Sequence, residues 1–267
     1  TVLGVGIAFG LAGELVQSLL RNPLASPDII GFTAGAGFGA VLSVVIVGTG
    51  AFVLPGAVAG GAVAAAAVLV FSWQRGVRPE QLVLTGIAVS LTVSVLTDLL
   101  ITRLDANSAA DLVKWLIGSF GATTPSVRLT LWGGIFLLLP LALWHQFALA
   151  RVSHGGELAQ SQGIDPRRNR LVTLCLAVAL VALAVASAGP LPFVAFVSGP
   201  IAHGLNRAPR PTLFTAALVG SAITLLADMA SRSLPGGFSL PAGIFTALIG
   251  APVLLWVLYL QSRKAFP

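Results

Sequence analysis

The chain has 267 residues, of which 56% are hydrophobic and only 9% are charged, and its formal net charge is +6. Its mean hydropathy is +0.95 and its sequence pI is about 11.0. Soluble domains carry about 25% charged residues, so this composition excludes an ordinary soluble domain. The basic balance would indicate nucleic acid as a partner of a soluble protein, but here membrane topology explains it better.

Nine apolar segments are candidates for membrane spans, because about 20 helical residues cross the hydrocarbon core. Helices are favoured since lipid offers no water to unpaired backbone groups. The segments are residues 1–20, 29–47, 51–71, 82–101, 129–150, 171–188, 191–205, 213–230 and 244–260, of which the seventh is short and bounded by prolines. The sequence therefore predicts an all-α polytopic membrane protein, with about nine transmembrane helices in a single domain over residues 1–267.

The basic residues predict which loops face the cytoplasm. If the first span runs from outside to inside and the others alternate, 11 of the 15 Lys and Arg residues lie on the inner side. This asymmetry follows the positive-inside rule. The inner residues are Arg21, Arg75, Arg78, Arg151, Arg167, Arg168, Arg170, Arg207, Arg210, Arg263 and Lys264; the outer ones are Arg103, Lys114, Arg128 and Arg232.

The first inner loop and the span after it combine a rigid turn with small residues. Pro23 and Pro27 fix φ and remove two backbone donors, so a helix cannot simply continue here. Gly31, Gly35 and Gly39 recur at every fourth position and open one helix face to close packing. A tightly packed turn between membrane helices indicates that something passes nearby.

Several kinds of chemistry are absent from the sequence. It contains no G-x-x-x-x-G-K-[ST] phosphate loop, and neither Lys114 nor Lys264 follows such a pattern. No nucleophile–base pair stands out, so no catalytic residue is predicted, and ATP hydrolysis would need a separate subunit. The single cysteine, Cys175, excludes an internal disulfide and is predicted to be a small core residue. The histidines lack metal-ligand spacing, and no metal site is predicted.

The longest inner loop, residues 151–170, is polar and basic. Ser153 or His154 is predicted to precede a short helix over residues 157–162, with Gly163 as its C′ residue in the left-handed conformation. On composition alone this segment fits an ordinary basic inner loop.

Separated motifs along the whole chain resemble FecCD-type ABC importer permeases, a family that carries iron–siderophores, haem and vitamin B12. In chain order they are RNPLASPDIIGF from Arg21, AQSQG from Ala159, AGPLPFVAFVSGPIAH from Ala188, LADMASR from Leu226 and LPAGIFTALIGAP from Leu240. The chain departs from the family pattern at Glu157, Gln162, Gly199, Pro200, His203 and Ser239. Family members usually have ten helices, and the nine spans counted here imply that the first one is missing.

The resemblance implies a permease subunit of an ATP-driven importer, most like a ferric-enterobactin permease, that carries a ferric siderophore across the bacterial cytoplasmic membrane by alternating access. Its partners would be cytoplasmic ABC ATPases, a second copy or a homologous permease, and an outer substrate-binding protein. ATP and Mg would bind to the ATPase, and no cofactor is expected in this chain. Import of haem or vitamin B12 by the same family remains an alternative.

The resemblance also assigns site residues. Asn22, Pro23 and Leu24, with Pro79 and Glu80, are implied to form the inner gate, although the second pair fits a solvated loop equally well. In the cytoplasmic coupling loop, residues 151–170, the positions implied to dock on the ATPase are Glu157, Ala159 and Gly163.

The outer and intramembrane charges have competing interpretations. Arg232 is implied to dock the binding protein, but it also fits snorkelling at the membrane surface or pairing with Asp228. Glu14 and Asp98 are acids within predicted spans, where ionisable groups are costly and often mark ion paths. They favour an ion-coupled secondary transporter as the alternative class, whereas Glu14 in an importer is expected to face a polar cavity or the subunit interface. A structural or assembly protein would leave the motifs unexplained.

Overall fold

In a computed structural model the chain is described over residues 1–48, 52–72, 79–121, 123–153, 155–206, 211–233 and 240–265, and all regular structure in these ranges is helical. The helices are α1 (Val2–Leu20), α2 (Phe32–Val47), α3 (Val53–Ser72), α4 (Pro79–Ile101), α5 (Ala106–Ile117), α6 (Pro125–Ser153), α7 (Gly156–Ser161), α8 (Pro166–Ala188), α9 (Val194–Asn206), α10 (Leu213–Arg232) and α11 (Ala242–Ala265). Outside the described residues lie Arg75, Arg78, His154, Arg207, Arg210 and Ser239.

The predicted all-α membrane fold is confirmed. Each predicted span coincides with a helix, the short inner helix is α7, and the amphipathic α5 was not predicted. Within the described residues, six helices are long and apolar enough to cross a membrane, namely α1, α3, α4, α6, α8 and α10, while α2 and the first part of α11 are shorter. The 13 residues of α9 extend about 20 Å, less than the hydrocarbon core of about 30 Å. The total of nine spans stays a prediction.

Helices α1 and α10 pack closely because small residues line their contact. A Cβ atom on Gly6 would lie 2.5 Å from the carbonyl oxygen of Gly220, so neither backbone can tolerate a side chain at that point. The hydroxyls of Ser221 and Thr224 donate across the contact to carbonyl oxygens at the start of α1, at 3.2 Å each. The pair thus combines close backbone packing with polar links.

The predicted glycine face of α2 packs against α3. A Cβ on Gly35 would lie 2.7 Å from the carbonyl oxygen of Gly60, and one on Gly39 would lie 2.9 Å from its Cα atom. Gly31 does not belong to this face, because it is the N-cap of α2, with φ 89, and lies against α4. Close packing is therefore confirmed for two of the three glycines.

Helix α8 joins the α1–α10 and α2–α3 pairs, since it packs on α1, α2, α3 and α6. In its most apolar stretch 61% of the residues are buried, against 11% in α4 and 17% in α6, which are left for lipid or other subunits. Cys175 is exposed on α8, so its prediction as a core residue is wrong. The neighbouring Leu174 and Leu176 are buried, but each residue turns the helix by about 100°.

The proline-rich segment before α9 is irregular. Gly189 and Phe193 have φ of 75 and 66, and residues 189–193 form no helix. Pro200 lies inside α9 without ending it. A proline inside a helix removes one backbone hydrogen bond to the preceding turn, and its ring crowds the carbonyl there; the side chain of Gln17 donates to that carbonyl instead.

Candidate functional site

The turn after α1 contains the first predicted gate residues. Arg21 ends α1 in the left-handed region with φ 50. The side-chain oxygen of Asn22 accepts the N–H of Leu24 at 2.9 Å, and Pro23 between them is exposed. An Asn side chain that bonds its own backbone two residues on forms a self-supporting turn. The structure thus brings these three residues together in a locally braced turn.

The second predicted gate pair stands at the start of α4. The helix begins at Pro79, where the fixed φ and the missing N–H of proline suit a first helical position. Glu80 follows in the first turn, and the side chains of both residues lie outside the described part of the protein. Their approach to the turn after α1 stays a prediction.

The later part of the same turn, around Asp28, lies between α2 and α4 and makes polar contacts with both helices. The Thr33 hydroxyl donates to the Asp28 carboxylate at 2.5 Å, and the Ser90 hydroxyl lies 3.5 Å from the Asp28 carbonyl oxygen. Burial raises the pKa of Asp28 to about 6, opposed by hydrogen bonds from Thr33 and from the backbone of Phe193. This carboxyl therefore keeps its proton to a higher pH than an exposed aspartate does.

A cavity of about 1120 Å³ opens beside this turn, between α2, α4, α5, α11 and the segment that leads into α9. Its polar lining consists of Ser26, Asp28, Thr33, Ser90, Ser94, Thr97 and Asp98. The remaining lining is apolar and includes Phe38, Phe193, Phe196, Ile244 and Leu248. The cavity thus combines large apolar surfaces with hydroxyls and two acids.

One face of α4 supplies much of this polar lining. Ser90, Ser94, Thr97 and Asp98 all line the cavity, and only Asp98 among them was a candidate from the sequence. Residues spaced by three or four lie on one helix face, so the hydroxyl spacing carried a signal that sequence reasoning missed. Asp28 was missed as well, since it stood in a quoted motif without a role.

Glu14 lies inside the protomer and is not among the cavity-lining residues. Its side chain is fully buried, and Oε1 accepts the N–H of Thr212 at 2.9 Å and the hydroxyl of Ser18 at 3.1 Å. Nε2 of His203 lies 2.9 Å from the same oxygen. The carboxyl group is therefore shielded from lipid and links α1 to α9 and to the start of α10.

Gln17 belongs to the same buried cluster and compensates for Pro200. Because Pro200 has no N–H, the carbonyl of Phe196 one turn earlier lacks its helical partner, and Gln17 Nε2 donates to it at 2.8 Å. Gln17 Oε1 and Glu14 Oε2 have no hydrogen-bond partner among the described residues. A Cβ on Gly199 would lie within 2.8 Å of Glu14 Oε2 and still closer to Gln17 Oε1, so glycine leaves room for both.

Helix α7 has the geometry predicted for it. Gly163 is left-handed with φ 77, and its N–H donates to the carbonyl of Gln160 at 2.9 Å. Ile164 donates to the carbonyl of Ala159 at 2.9 Å, which completes a Schellman motif. Ala159 is fully buried and Glu157 is exposed. Ala159 therefore packs α7 against the rest of the protomer, while Glu157 and Gly163 are accessible to a partner.

Arg232 pairs with Asp228. Its Nε lies 3.0 Å from both carboxylate oxygens, with the arginine side chain 62% exposed and the aspartate 13% exposed. The pairing predicted as an alternative is therefore present. Docking of another protein at Arg232 stays a prediction. The ion pair with Asp228 would hold the exposed guanidinium in one orientation for such docking.

Known proteins resemble the chain over nearly its whole length. An achromobactin transport system permease protein of Dickeya dadantii is 37% identical over 97% of this chain and 75% of its own length. A ferric enterobactin transport system permease protein of Escherichia coli is 32% identical over 97% and 79%. A structure described as an inward-facing conformation of a metal-chelate type ABC transporter superposes with a TM-score of 0.86, at 29% identity over 97% and 83%.

The family assignment rests on the complete fold as well as on sequence. Residues 1–260 match the FecCD transport family. The braced turn, the cavity beside it and the exposed short helix all lie within the matched part of the chain. The chain is therefore a multi-pass membrane protein that belongs to the FecCD transport family.

Proposed function

We propose that the chain is the permease subunit of an ATP-driven importer that carries a ferric siderophore across the bacterial cytoplasmic membrane. The observation that carries this proposal is the cavity of about 1120 Å³ between the turn after α1 and α4. Pockets for ordinary small ligands measure about 300–1000 Å³, so the cavity suits a larger chelate. The names of the achromobactin and enterobactin relatives support a siderophore as cargo.

A second permease, either a copy or a homologue, would close the open side of this cavity. The outward faces of α4 and α11 expose large apolar residues, namely Leu84, Leu91, Val95, Leu99, Leu255 and Trp256. Exposed apolar faces of this kind suit contact with lipid or with another subunit. Because α4 also carries the cavity hydroxyls, a partner packed along it would share the pathway.

The energy would come from separate cytoplasmic ATPases that bind ATP and Mg. The exposed helix α7 is the proposed docking element, and Asn22, Pro23 and Leu24 form the proposed inner gate with Pro79 and Glu80. An outer binding protein would deliver the chelate near Arg232. The chain itself has a transport role and needs no cofactor of its own for it.

Reconstitution with an ABC ATPase and a substrate-binding protein from the same organism tests this proposal. We expect the ATPase to copurify with the chain, and liposomes with ATP inside to accumulate ⁵⁵Fe-labelled siderophore. A variant ATPase without its phosphate-loop lysine is the control and should abolish uptake. Uptake that ignores ATP and follows an imposed proton or sodium gradient would instead establish the ion-coupled alternative. Parallel assays with haem and vitamin B12 separate the other cargoes of the family.

A further inference from the structure

A single carbonyl oxygen connects the gate turn, defined as residues 22–24, to helix α7. Nη2 of Arg21 donates to the carbonyl oxygen of Val152 at 2.5 Å, across 131 residues of sequence. The N–H of Gly155 donates to the same oxygen at 3.2 Å. Arg21 directly precedes the gate turn, and Gly155 is the N-cap of α7. The two proposed functional segments therefore meet at one atom.

The chemistry of this contact favours a strong bond. Val152 lies in the last turn of α6, where carbonyl groups lack partners within the helix and attract positive charge. Val152 is only 7% exposed, so water competes weakly for its carbonyl oxygen. A hydrogen bond from a guanidinium is also stronger than one between neutral groups.

The backbone of Arg21 supports the importance of its side chain. Its φ of 50 lies in the left-handed region, which costs free energy for a residue with a Cβ. Glycine would fit this backbone position better. The bond to Val152 supplies what glycine cannot, a side chain that reaches the end of α6.

A displacement of helix α7 would reach the carbonyl oxygen of Val152. The Schellman motif at Gly163 fixes its end, and the buried Ala159 seats it as one unit. Two residues of sequence separate α7 from the end of α6, and the second of them, Gly155, has φ 135. A displacement of α7 therefore moves the N–H of Gly155 relative to the carbonyl oxygen of Val152, which also accepts the hydrogen bond from Arg21.

We propose that Arg21 is the positioning residue through which α7 controls the inner gate. In this proposal, which rests on the proposed function, an ATPase that displaces α7 shifts the Val152 carbonyl and releases or reorients Arg21. The turn at Asn22, Pro23 and Leu24 then changes its position. Arg21 itself contacts neither the chelate nor ATP in this role.

The test uses the complete transporter in liposomes and compares Arg21→Gln with Arg128→Gln. Arg128 is exposed in the first turn of α6, so the control removes the same charge at the opposite end of the same helix. We expect R21Q to keep ATPase binding and hydrolysis but to lose about tenfold in chelate uptake per ATP, the size of one charge-assisted hydrogen bond. Arg21→Lys keeps the charge and should give an intermediate ratio.

A second readout separates positioning from a merely structural role. A cysteine at Leu24 should react with a thiol reagent differently in the nucleotide-free and ATP-bound states, and R21Q should remove this difference. Uptake per ATP equal to that of R128Q, in whichever Arg21 variant assembles, would overturn the proposal. Failure of both Arg21 variants to assemble while R128Q assembles would also overturn it, since Arg21 would then act in folding alone. An inactive wild-type transporter would instead refute the proposed function.

Discussion

The buried carboxyl group of Glu14 allows a sharp comparison between two substitutions of similar size. Glu14→Leu removes the acceptor for the Thr212 N–H, at 2.9 Å, and the partner of His203 Nε2, also at 2.9 Å. The Thr212 N–H is buried, and a buried donor left without an acceptor costs about 1–3 kcal/mol, whereas the partly exposed His203 can turn to water; we therefore expect a loss of about 1–3 kcal/mol. Glu14→Gln keeps Oε1 and puts an N–H where Oε2 now lies.

Because Glu14 Oε2 and Gln17 Oε1 both lie beside Gly199 and have no partner among the described residues, we expect the new amide N–H to donate to Gln17 Oε1. This hydrogen bond would contribute about 0.5–1.5 kcal/mol. It would offset much of the free energy that is lost when the acceptor becomes uncharged. Thermal unfolding of the purified protein in detergent measures the difference. We expect the midpoint of E14L to fall by at least about 2 °C, with a smaller change for E14Q.

ATP-driven uptake completes the comparison. E14Q should weaken uptake only modestly, because the hydrogen-bond geometry at α9 and α10 is preserved. Complete loss of uptake in E14Q with intact folding and ATPase binding would refute this reasoning, since it would mean that the negative charge itself takes part in transport. Equal destabilisation of E14Q and E14L would refute the hydrogen-bond accounting.

Three further predictions address the other candidate sites. Gly163→Val should uncouple ATP hydrolysis from uptake, because a β-branched residue disfavours the left-handed φ of 77; Gly163→Asn tolerates that region and is the control, and normal coupled uptake in the valine variant would contradict the idea. Cysteines at Asn22 and Leu24 should be labelled in one nucleotide state and protected in another, and equal labelling in all states would argue against a gate. Arg232→Glu should slow association with the binding protein in stopped-flow experiments and invert its salt dependence, whereas an on-rate like that of Arg103→Glu would leave only the pairing with Asp228.

The fold class, the location of every helix except α5 and the family can be predicted from the amino-acid sequence alone. These follow from local properties, since long apolar runs form helices in lipid whatever they pack against. The left-handed conformation of Gly163 was also predicted, as was the close packing at Gly35 and Gly39. Both depend on glycine spacing and helix-end chemistry, which are local properties of the sequence. The amphipathic helix α5 was not predicted, because it is only 12 residues long and mostly exposed and contains no long apolar run.

Only the tertiary structure decided which distant groups meet. The carbonyl of Phe196 becomes available because Pro200 lacks an N–H, but nothing local to either residue points to Gln17, 179 positions away from Phe196. The link between Arg21 and Val152 likewise spans 131 positions. Hydrogen bonds between segments so far apart depend on how whole helices cross, and that arrangement is set by packing over the entire chain.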